Sequence, residues 1–197
     1  MADGSPGDGA DQLRAGQLLV ATPALADANF DHTVVLLLDF DEHGALGVVL
    51  NRPSPVPVAE ILAEWSEVVH EPSVLFQGGP VGTDSALAVA ALPPRHGEPL
   101  EPVGWRRMFD NTGIVDLDAP CELIGPALSG MRIFAGYAGW GTEQLESEIE
   151  EGSWYVVPSI AADLFGGDPE GLWMRVLRRQ PGELAWVSTR PADPTLN

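Results

Sequence analysis

The segment HTVVLLLDF, residues 32–40, constrains the fold of this 197-residue chain more than any other stretch. It joins β-branched valines to leucines without a polar interruption, and it is far shorter than a membrane-spanning helix. A continuous apolar run of this length predicts a strand that is buried on both faces. We therefore expect a sheet with apolar layers above and below this strand.

The residues that follow predict a hairpin. The segment DEHG, residues 41–44, predicts a turn, and ALGVVLNRP, residues 45–53, predicts a second strand that Pro53 stops. Two apolar runs joined by a short turn that contains glycine are typical of a hairpin.

Strands are predicted along the rest of the chain by short apolar segments, which are GQLLVATP, SVLFQGGPV, ALAVAAL, NTGIVDL, MRIFAGYAG and WYVVP. The proline-rich segment from Pro93 to Trp105 predicts a long loop. Strands and isolated helices do not alternate regularly, which predicts an α+β fold.

Two helices are predicted outside the most acidic part of the chain. Residues 58–65 carry apolar side chains at i, i+3, i+4 and i+7, which are Val58, Ile61, Leu62 and Trp65. Asp168 as N-cap and Pro169 at the first helical position predict the start of the second helix. Its expected buried face consists of Leu172, Trp173, Val176 and Leu177.

Length and composition predict one domain. We expect a flexible arm at residues 1–13, a single domain over 14–189 and a loose tail at 190–197. The N-terminal residues lack the basic and apolar regions of a signal peptide, and no apolar run is long enough for a transmembrane helix. We therefore expect a cytoplasmic protein that has no membrane partner.

The charged residues and the cysteine exclude several kinds of chemistry. The chain has no lysine, which excludes a P-loop lysine and a Schiff-base lysine. Its net charge of -19 repels nucleic acid at long range, so nucleic acid is not an expected partner. The only cysteine is Cys121, so an internal disulfide and a zinc site with several thiolates are excluded.

The segment GYAGWGTEQLESEIEEGSW, residues 136–154, predicts a glycine- and aromatic-rich turn that leads into a helix. We expect this helix over residues 142–151, with Thr142 as N-cap and Gly152 as the C′ residue. Leu145 and Ile149 would form its narrow apolar stripe.

The glutamates of this helix allow two interpretations. Glu143, Glu146 and Glu150 share the face opposite the apolar stripe, as in a solvated acidic face. Glu148 and Glu151 add to the acidic C-terminal turn, where the helix dipole disfavours each negative charge by about 0.3–1 kcal/mol. Because local stability does not select that pattern, a metal site or a basic partner is the alternative.

No catalytic motif is evident. Asp31 and His32 are adjacent, but no serine lies in a G-x-S-x-G segment, and adjacency is not triad geometry. The four histidines are scattered without metal-ligand spacing. Cys121 begins a predicted helix, where its pKa could fall, although a lone cysteine is more often a small buried apolar residue.

The order of these motifs resembles the YqgE/AlgH family of bacterial proteins. The matching segments are GQLLVATPALADANFDHTVVLLL, GALGVVLNRP, VLFQGGPV, FAGYAGWGTEQLESEIEEGSW and the pair LW at 172–173. The resemblance implies an α+β fold whose strongly curved, mostly antiparallel or mixed sheet forms a pseudo-barrel flanked by helices.

The resemblance implies no settled activity. Some members carry the label of transcriptional regulator, but no DNA-binding or RNA-binding motif is visible in this sequence. Many members carry a Cys-Glu-His run just after the second strand. The corresponding residues here are Leu38, Asp39 and Phe40, so a thiol-based role at that position is not expected.

Our leading hypothesis is a non-enzymatic cytoplasmic binding or regulatory module with a protein or small-molecule partner. Its groove would combine a strand end, a glycine turn and an aromatic segment. Arg52 would supply charge, the glycines would let a ligand approach the backbone closely, and Trp140 would be an aromatic anchor. The predicted binding residues are Asn51, Arg52, Gly78, Gly79, Pro80, Tyr137, Trp140, Glu143 and Gln144. No catalytic residue, metal ligand or cofactor is predicted.

Two alternatives remain open at the level of sequence. The first is an enzyme that uses carboxylates of the acidic helix at residues 142–151, with or without a divalent metal. The second is a nucleic-acid regulator, as the label of some family members suggests.

Overall fold

The computed structural model describes residues 13–94, 101–182 and 184–187. The predicted arm, apart from Leu13, and the predicted tail lie outside these residues. Within them, no helix has the length and apolar character that a membrane span requires.

The described strands belong to one sheet. They are β1 (Gln17–Ala21), β2 (Val34–Asp41), β3 (Gly44–Val49), β4 (Pro53–Pro57), β5 (Val74–Gln77), β6 (Val81–Ala91), β7 (Trp105–Phe109), β8 (Thr112–Val115), β9 (Gly130–Gly141) and β10 (Trp154–Pro158). The α-helices are α1 (Val58–Ile61), α2 (Cys121–Ile124), α3 (Gln144–Glu150), α4 (Ala161–Phe165), α5 (Leu172–Arg178) and α6 (Leu184–Val187). Single 3-10 turns follow two of them, at Ala63–Trp65 and Gly125–Ala127.

The strands follow the order β10-β1-β2-β3-β9-β6-β8-β7, and β4 joins through β5, which also pairs with β9. Only the β5–β9 pairing is parallel among the described pairs. The sheet curls into a half-barrel flanked by helices, so the predicted α+β class with a strongly curved, mostly antiparallel sheet is confirmed. Gly16, just before β1, lies against the Phe109 ring at the end of β7, which shows how far the sheet curls back.

The apolar run at residues 32–40 has the predicted environment. Residues 34–38 of β2 are fully buried, and alternate residues belong to two core clusters. One cluster contains Val34, Leu36 and Leu38, and the other contains Val35 and Leu37. The predicted hairpin is also confirmed, since β2 and β3 pair in antiparallel register around a turn at residues 42–43.

The prediction that the second strand continues to Pro53 is wrong. β3 ends at Val49, whose amide donates to the Gly78 carbonyl (2.8 Å), and Pro53 begins β4. The prolines of β4 are tolerated because, within the described residues, this strand pairs only with β5. A further strand, β7, begins at Trp105, where the predicted loop was expected to end.

Both predicted amphipathic helices are shorter than expected. The first breaks at Leu62 (φ −134°, ψ 64°) into α1 and a 3-10 turn, so that Trp65 is buried as predicted but Ile61 is 61% exposed. The second, α5, begins at Leu172, because the Asp168 carboxylate accepts from the Gly171 amide (3.1 Å) before the helix starts. The four predicted core residues of α5 are buried.

A fork in the sheet occurs along β9. Its residues Phe134 and Ala135 pair with β5 on one edge and with β6 on the other, whereas residues 138–141 pair with β3. Between these segments Gly136 adopts a φ of 71°. Opposite it, the β6 register jumps from Ala86 to Val81, which leaves residues 82–85 as a bulge. β3 and β5 therefore leave the same edge of β9 in different places.

We predict that Gly136→Ala destabilises the fold more than Gly152→Ala does. Both glycines have positive φ, which costs alanine roughly 1–2 kcal/mol. A Cβ at position 136 would also lie 2.6 Å from the Gly79 carbonyl oxygen and 2.8 Å from that of Val81. Steric overlap adds about 1–3 kcal/mol.

Position 152 serves as the matched control, because a Cβ there meets nothing within 4 Å. Urea unfolding followed by circular dichroism measures both free energies of unfolding. Equal losses for the two variants would contradict the close packing at the fork.

Candidate ligand-binding cleft

A cleft of about 410 Å³ opens where the sheet forks. This volume lies within the range of about 300–1,000 Å³ that is typical of small-molecule sites. The end of β3, the β4–β5 pair, the turn after β5 and the bulge of β6 surround it. The lining residues are Asn29, Val49, Arg52, Ser54, Val56, Leu75, Gln77, Gly79, Pro80, Thr83 and Ala135.

Arg52 supplies the only side-chain charge among these lining residues. Its Nη2 donates to the carbonyl oxygens of Ala28 and Asp31, both at 3.2 Å, and its side chain is half-buried. Within the described part of the chain it forms no ion pair, whereas Arg107, Arg175 and Arg179 each pair with a carboxylate. A cation without a carboxylate partner, held by neutral carbonyls, is available to an anionic ligand.

Asn51 does not line the cleft but fixes one of its walls. Its Oδ1 accepts from the Val34 amide (2.9 Å), and its Nδ2 donates to the His32 carbonyl (2.8 Å). These bonds hold the loop before β2, which also provides the two carbonyls that bind Arg52. Asn51 is therefore a positioning residue.

The glycines of the turn after β5 have a different role from the predicted one. We expected Gly78 and Gly79 to let a ligand approach the backbone. A Cβ at either position would instead collide with the β9 backbone at Gly136 and Tyr137, so these glycines admit the neighbouring strand. Gly79 and Pro80 still line the cleft, whereas Gly78 is buried.

The predicted aromatic part of the groove lies elsewhere. Trp140 is five residues beyond Ala135 along β9, which is roughly 16 Å at about 3.3 Å per strand residue. Its side chain is only 6% exposed and stacks on Phe30 with ring centroids 6.1 Å apart. The proposed role of Trp140 as an accessible anchor is therefore wrong, because packing inside the domain uses its ring.

Tyr137, Glu143 and Gln144 do not line the cleft either. Tyr137 is partly buried and packs against the main core cluster. Glu143 and Gln144 are exposed at the start of α3. Of the nine predicted binding residues, the structure brings Arg52, Gly79 and Pro80 together at one cleft.

The start of the acidic helix differs from the prediction. The helix begins at Gln144, and Glu143 precedes it as the N-cap residue with a left-handed backbone (φ 58°). Thr142 does not cap the helix; its hydroxyl donates to the His43 carbonyl at 3.4 Å. Leu145 is buried and Ile149 is partly buried, so the predicted apolar stripe is confirmed.

Glu148 explains part of the acidic C-terminal turn. Its Oε2 accepts from the indole nitrogens of Trp140 (2.9 Å) and Trp154 (2.8 Å), and its Oε1 accepts from the side-chain Nε2 of Gln144 (3.0 Å). Glu148 therefore satisfies two buried donors, which offsets an unfavourable place in the helix dipole. Glu148 is therefore not part of a solvated acidic face, and that interpretation is wrong for this residue.

Several features were missed by the sequence analysis. Arg132 is buried over the Phe76 ring (4.2 Å), and burial lowers its pKa to about 10. It donates to three carbonyls, those of Glu71, Leu164 and Gly166. Asp163 of α4 is also buried, and the Arg179 guanidinium binds both of its carboxylate oxygens. No local periodicity reveals these contacts, since each joins distant segments.

A larger cleft of about 670 Å³ lies between α4 and the β7–β8 turn. Among its described lining residues, His70 and Asp110 are the titratable ones, and most of the others are apolar or small. No arginine is among its described lining residues, which therefore lack the cationic side chain that distinguishes the Arg52 cleft.

The other candidate chemistry gains no support from the described residues. His32 Nδ1 lies 2.5 Å from Asp31 Oδ1, and the described residues include no serine hydroxyl bonded to His32. Desolvation, followed by the charges of Glu122 and Glu64, raises the pKa of the Cys121 thiol. Across residues 13–94, 101–182 and 184–187, no three His, Cys, Asp or Glu side chains are grouped to hold a metal ion.

An α+β fold, whose curled sheet has a cleft at its fork, defines the structural class of this protein. A family model described as AlgH-like matches residues 18–185, and the chain therefore belongs to the AlgH-like family, as its resemblance predicted.

Relatives and solved structures agree with this assignment. A UPF0301 protein of Streptomyces coelicolor is 59% identical over 182 residues, which are 92% of this chain and 94% of the relative. A crystal structure of a Corynebacterium diphtheriae protein has a TM-score of 0.83 at 33% identity and covers 91% of this chain and 94% of its own. The solution structure of the Pseudomonas aeruginosa AlgH protein has a TM-score of 0.63 at 27% identity, with coverages of 97% and 98%.

We predict that Glu148→Ala destabilises the protein by about 2–4 kcal/mol, because two buried indole donors lose their acceptor. Glu150→Ala, an exposed change on the same helix, should stay within about 0.5 kcal/mol of the wild type. Glu148→Gln keeps an acceptor oxygen and should fall between them. Urea unfolding tests the order, and equal losses for the two alanine variants would contradict the role of Glu148.

Proposed function

We propose that this protein is a non-enzymatic binding or regulatory module whose cleft at the sheet fork receives a small ligand with an anionic group. The observation that carries the proposal is the half-buried Arg52 guanidinium, which lines the cleft and has no carboxylate partner in the described residues. The cleft volume favours a small molecule over a protein surface as the partner.

The surroundings of Arg52 support binding of an anion. Asn29, Gln77 and Thr83 line the same cleft and are exposed, so their polar groups can hydrogen-bond a ligand. The net charge of -19 opposes the approach of anions, but distant charges are screened beyond about 8 Å at physiological ionic strength. Arg52, the charged residue among the described lining residues, acts on a bound anion at short range, where screening is weakest.

The alternatives have weaker support. A metal-dependent enzyme on the acidic helix would need carboxylates that face a pocket, but Glu148 is engaged by two indoles. A nucleic-acid regulator would need a basic surface or a binding motif, and the acidic sequence offers neither. Our proposal retains the expected cytoplasmic location, which suits a chain with a single cysteine.

We predict saturable anion binding at Arg52. In a titration of the ¹⁵N-labelled protein with acetate, succinate or inorganic phosphate at constant ionic strength, the amides of Gln77, Gly79 and Thr83 should shift with at least one anion. Arg52→Gln should weaken that binding by about ten- to a hundredfold, because charge-assisted hydrogen bonds contribute about 1.5–3 kcal/mol. Arg52→Lys keeps the charge and should retain part of the affinity.

Arg106→Gln is the matched control, because Arg106 is an exposed arginine on β7 that does not line the cleft. It makes the same change in net charge and should leave binding unchanged. The proposal fails if no anion gives saturable shifts at the cleft, or if the Arg52 and Arg106 variants bind equally well.

A further inference from the structure

We propose that the ligand of the Arg52 cleft is an aliphatic monocarboxylate, with its carboxylate on Arg52 and its hydrocarbon chain along the β4–β5 pair. This inference rests on the proposed function and adds the chemical class of the ligand. It follows from the arrangement of polar and apolar side chains within the cleft.

Within the β4–β5 pair, the polar lining residues lie nearer Arg52 along each strand than the apolar lining residues do. Ser54 and Val56 share one face of β4, and Leu75 and Gln77 share one face of β5, because side chains alternate along a strand. The Gln77 amide donates to the Arg52 carbonyl (2.9 Å), which places Gln77 at the Arg52 end of the pair.

The opposite end of the pair is apolar. Pro53 is in register with Phe76 and Pro57 with Val74, so the irregular β4 segment 54–56 faces Leu75. Val56 is the lining residue of this segment that lies farther from Arg52 along the strand. The β4–β5 part of the lining thus changes from a cationic and polar end to an apolar end over roughly 7 Å, the distance between alternate strand residues. A ligand that matches this gradient has one charged head and an apolar chain.

The number of cationic side chains in the cleft determines the charge expected on the ligand's head group. Among the described residues that line the cleft, Arg52 alone has a charged side chain. One guanidinium binds one carboxylate in a two-bond arrangement. A second negative charge on the ligand would be placed against Val56 and Leu75 without a partner, which carries a desolvation cost.

A peptide bound as an added strand fits this site less well. β4 pairs only with β5 within the described residues, so its other edge is the natural place for an added strand. Proline occupies positions 53, 55 and 57, and each removes an amide donor that such pairing would need. A small molecule bound through its head group and chain avoids this requirement.

A series of acetate, butyrate, hexanoate and octanoate tests the inference in amide-shift titrations of the full chain. The dissociation constant should fall by about three- to fourfold for each added methylene until the chain reaches the end of the cleft. Hexylamine, which has the chain without the carboxylate, should give no saturable shift at Gln77 or Gly79.

Val56→Thr distinguishes the chain contact from the charge contact, because it replaces a methyl group by a hydroxyl group of similar size. It should weaken hexanoate binding by about threefold or more, the equivalent of one methylene contact, and should leave acetate binding unchanged. Val103→Thr, the same change at an 83% exposed residue outside the cleft lining, is the matched control.

The outcomes separate this inference from the proposed function. Anion binding that depends on Arg52 but is equal for all chain lengths overturns the monocarboxylate and leaves the binding module intact. Binding that does not depend on Arg52 overturns both. A third outcome is an affinity that depends on the length of the ligand's hydrocarbon chain but is not changed by Val56→Thr, with amide shifts at Ile160 and Phe165. This result assigns the hydrocarbon chain to the cleft beside α4 and also overturns the inference.

Discussion

β9 donates and accepts hydrogen bonds along three other strands, and its partner on one edge changes from β5 to β3 around Gly136. The left-handed backbone at Gly136 and the bulge of β6 opposite it allow this change without a break in the strand. Because β3 and β5 leave the same edge at different points, a gap remains between them. The Arg52 cleft occupies that gap, so the site is a consequence of sheet topology.

The C-terminal end of β9 and the fork around Gly136 have different roles. At its C-terminal end Trp140 and Trp154 direct their indole nitrogens to Glu148, which ties α3 to β9 and β10. This contact converts a carboxylate that the helix dipole disfavours into the acceptor for two buried donors. Around the fork, Gly78, Gly79 and Gly136 let neighbouring strands approach each other closely. Side chains of the nearby β4–β5 pair line the cleft there. Tight packing at one end and an open cleft near the other are thus parts of one arrangement.

Local periodicity was sufficient to predict β2, its hairpin with β3 and the buried face of α5, because each depends on neighbouring residues in sequence. The strand β4 was missed, since its prolines usually end strands and are tolerated here only at an edge. Arg52, Gly79 and Pro80 were named from local chemistry, but the fork that brings them together depends on long-range pairing. Trp140 was misplaced for the same reason, because its partners Phe30 and Trp154 are distant in sequence.

Intermolecular nuclear Overhauser effects between unlabelled hexanoate and the isotopically labelled protein test most directly whether the fork holds the ligand. The cleft geometry predicts contacts from the terminal methyl group of hexanoate to the methyl groups of Val56 and Leu75. Contacts to Ile160 and Phe165 beside α4, without contacts to the β4–β5 pair, would contradict the account.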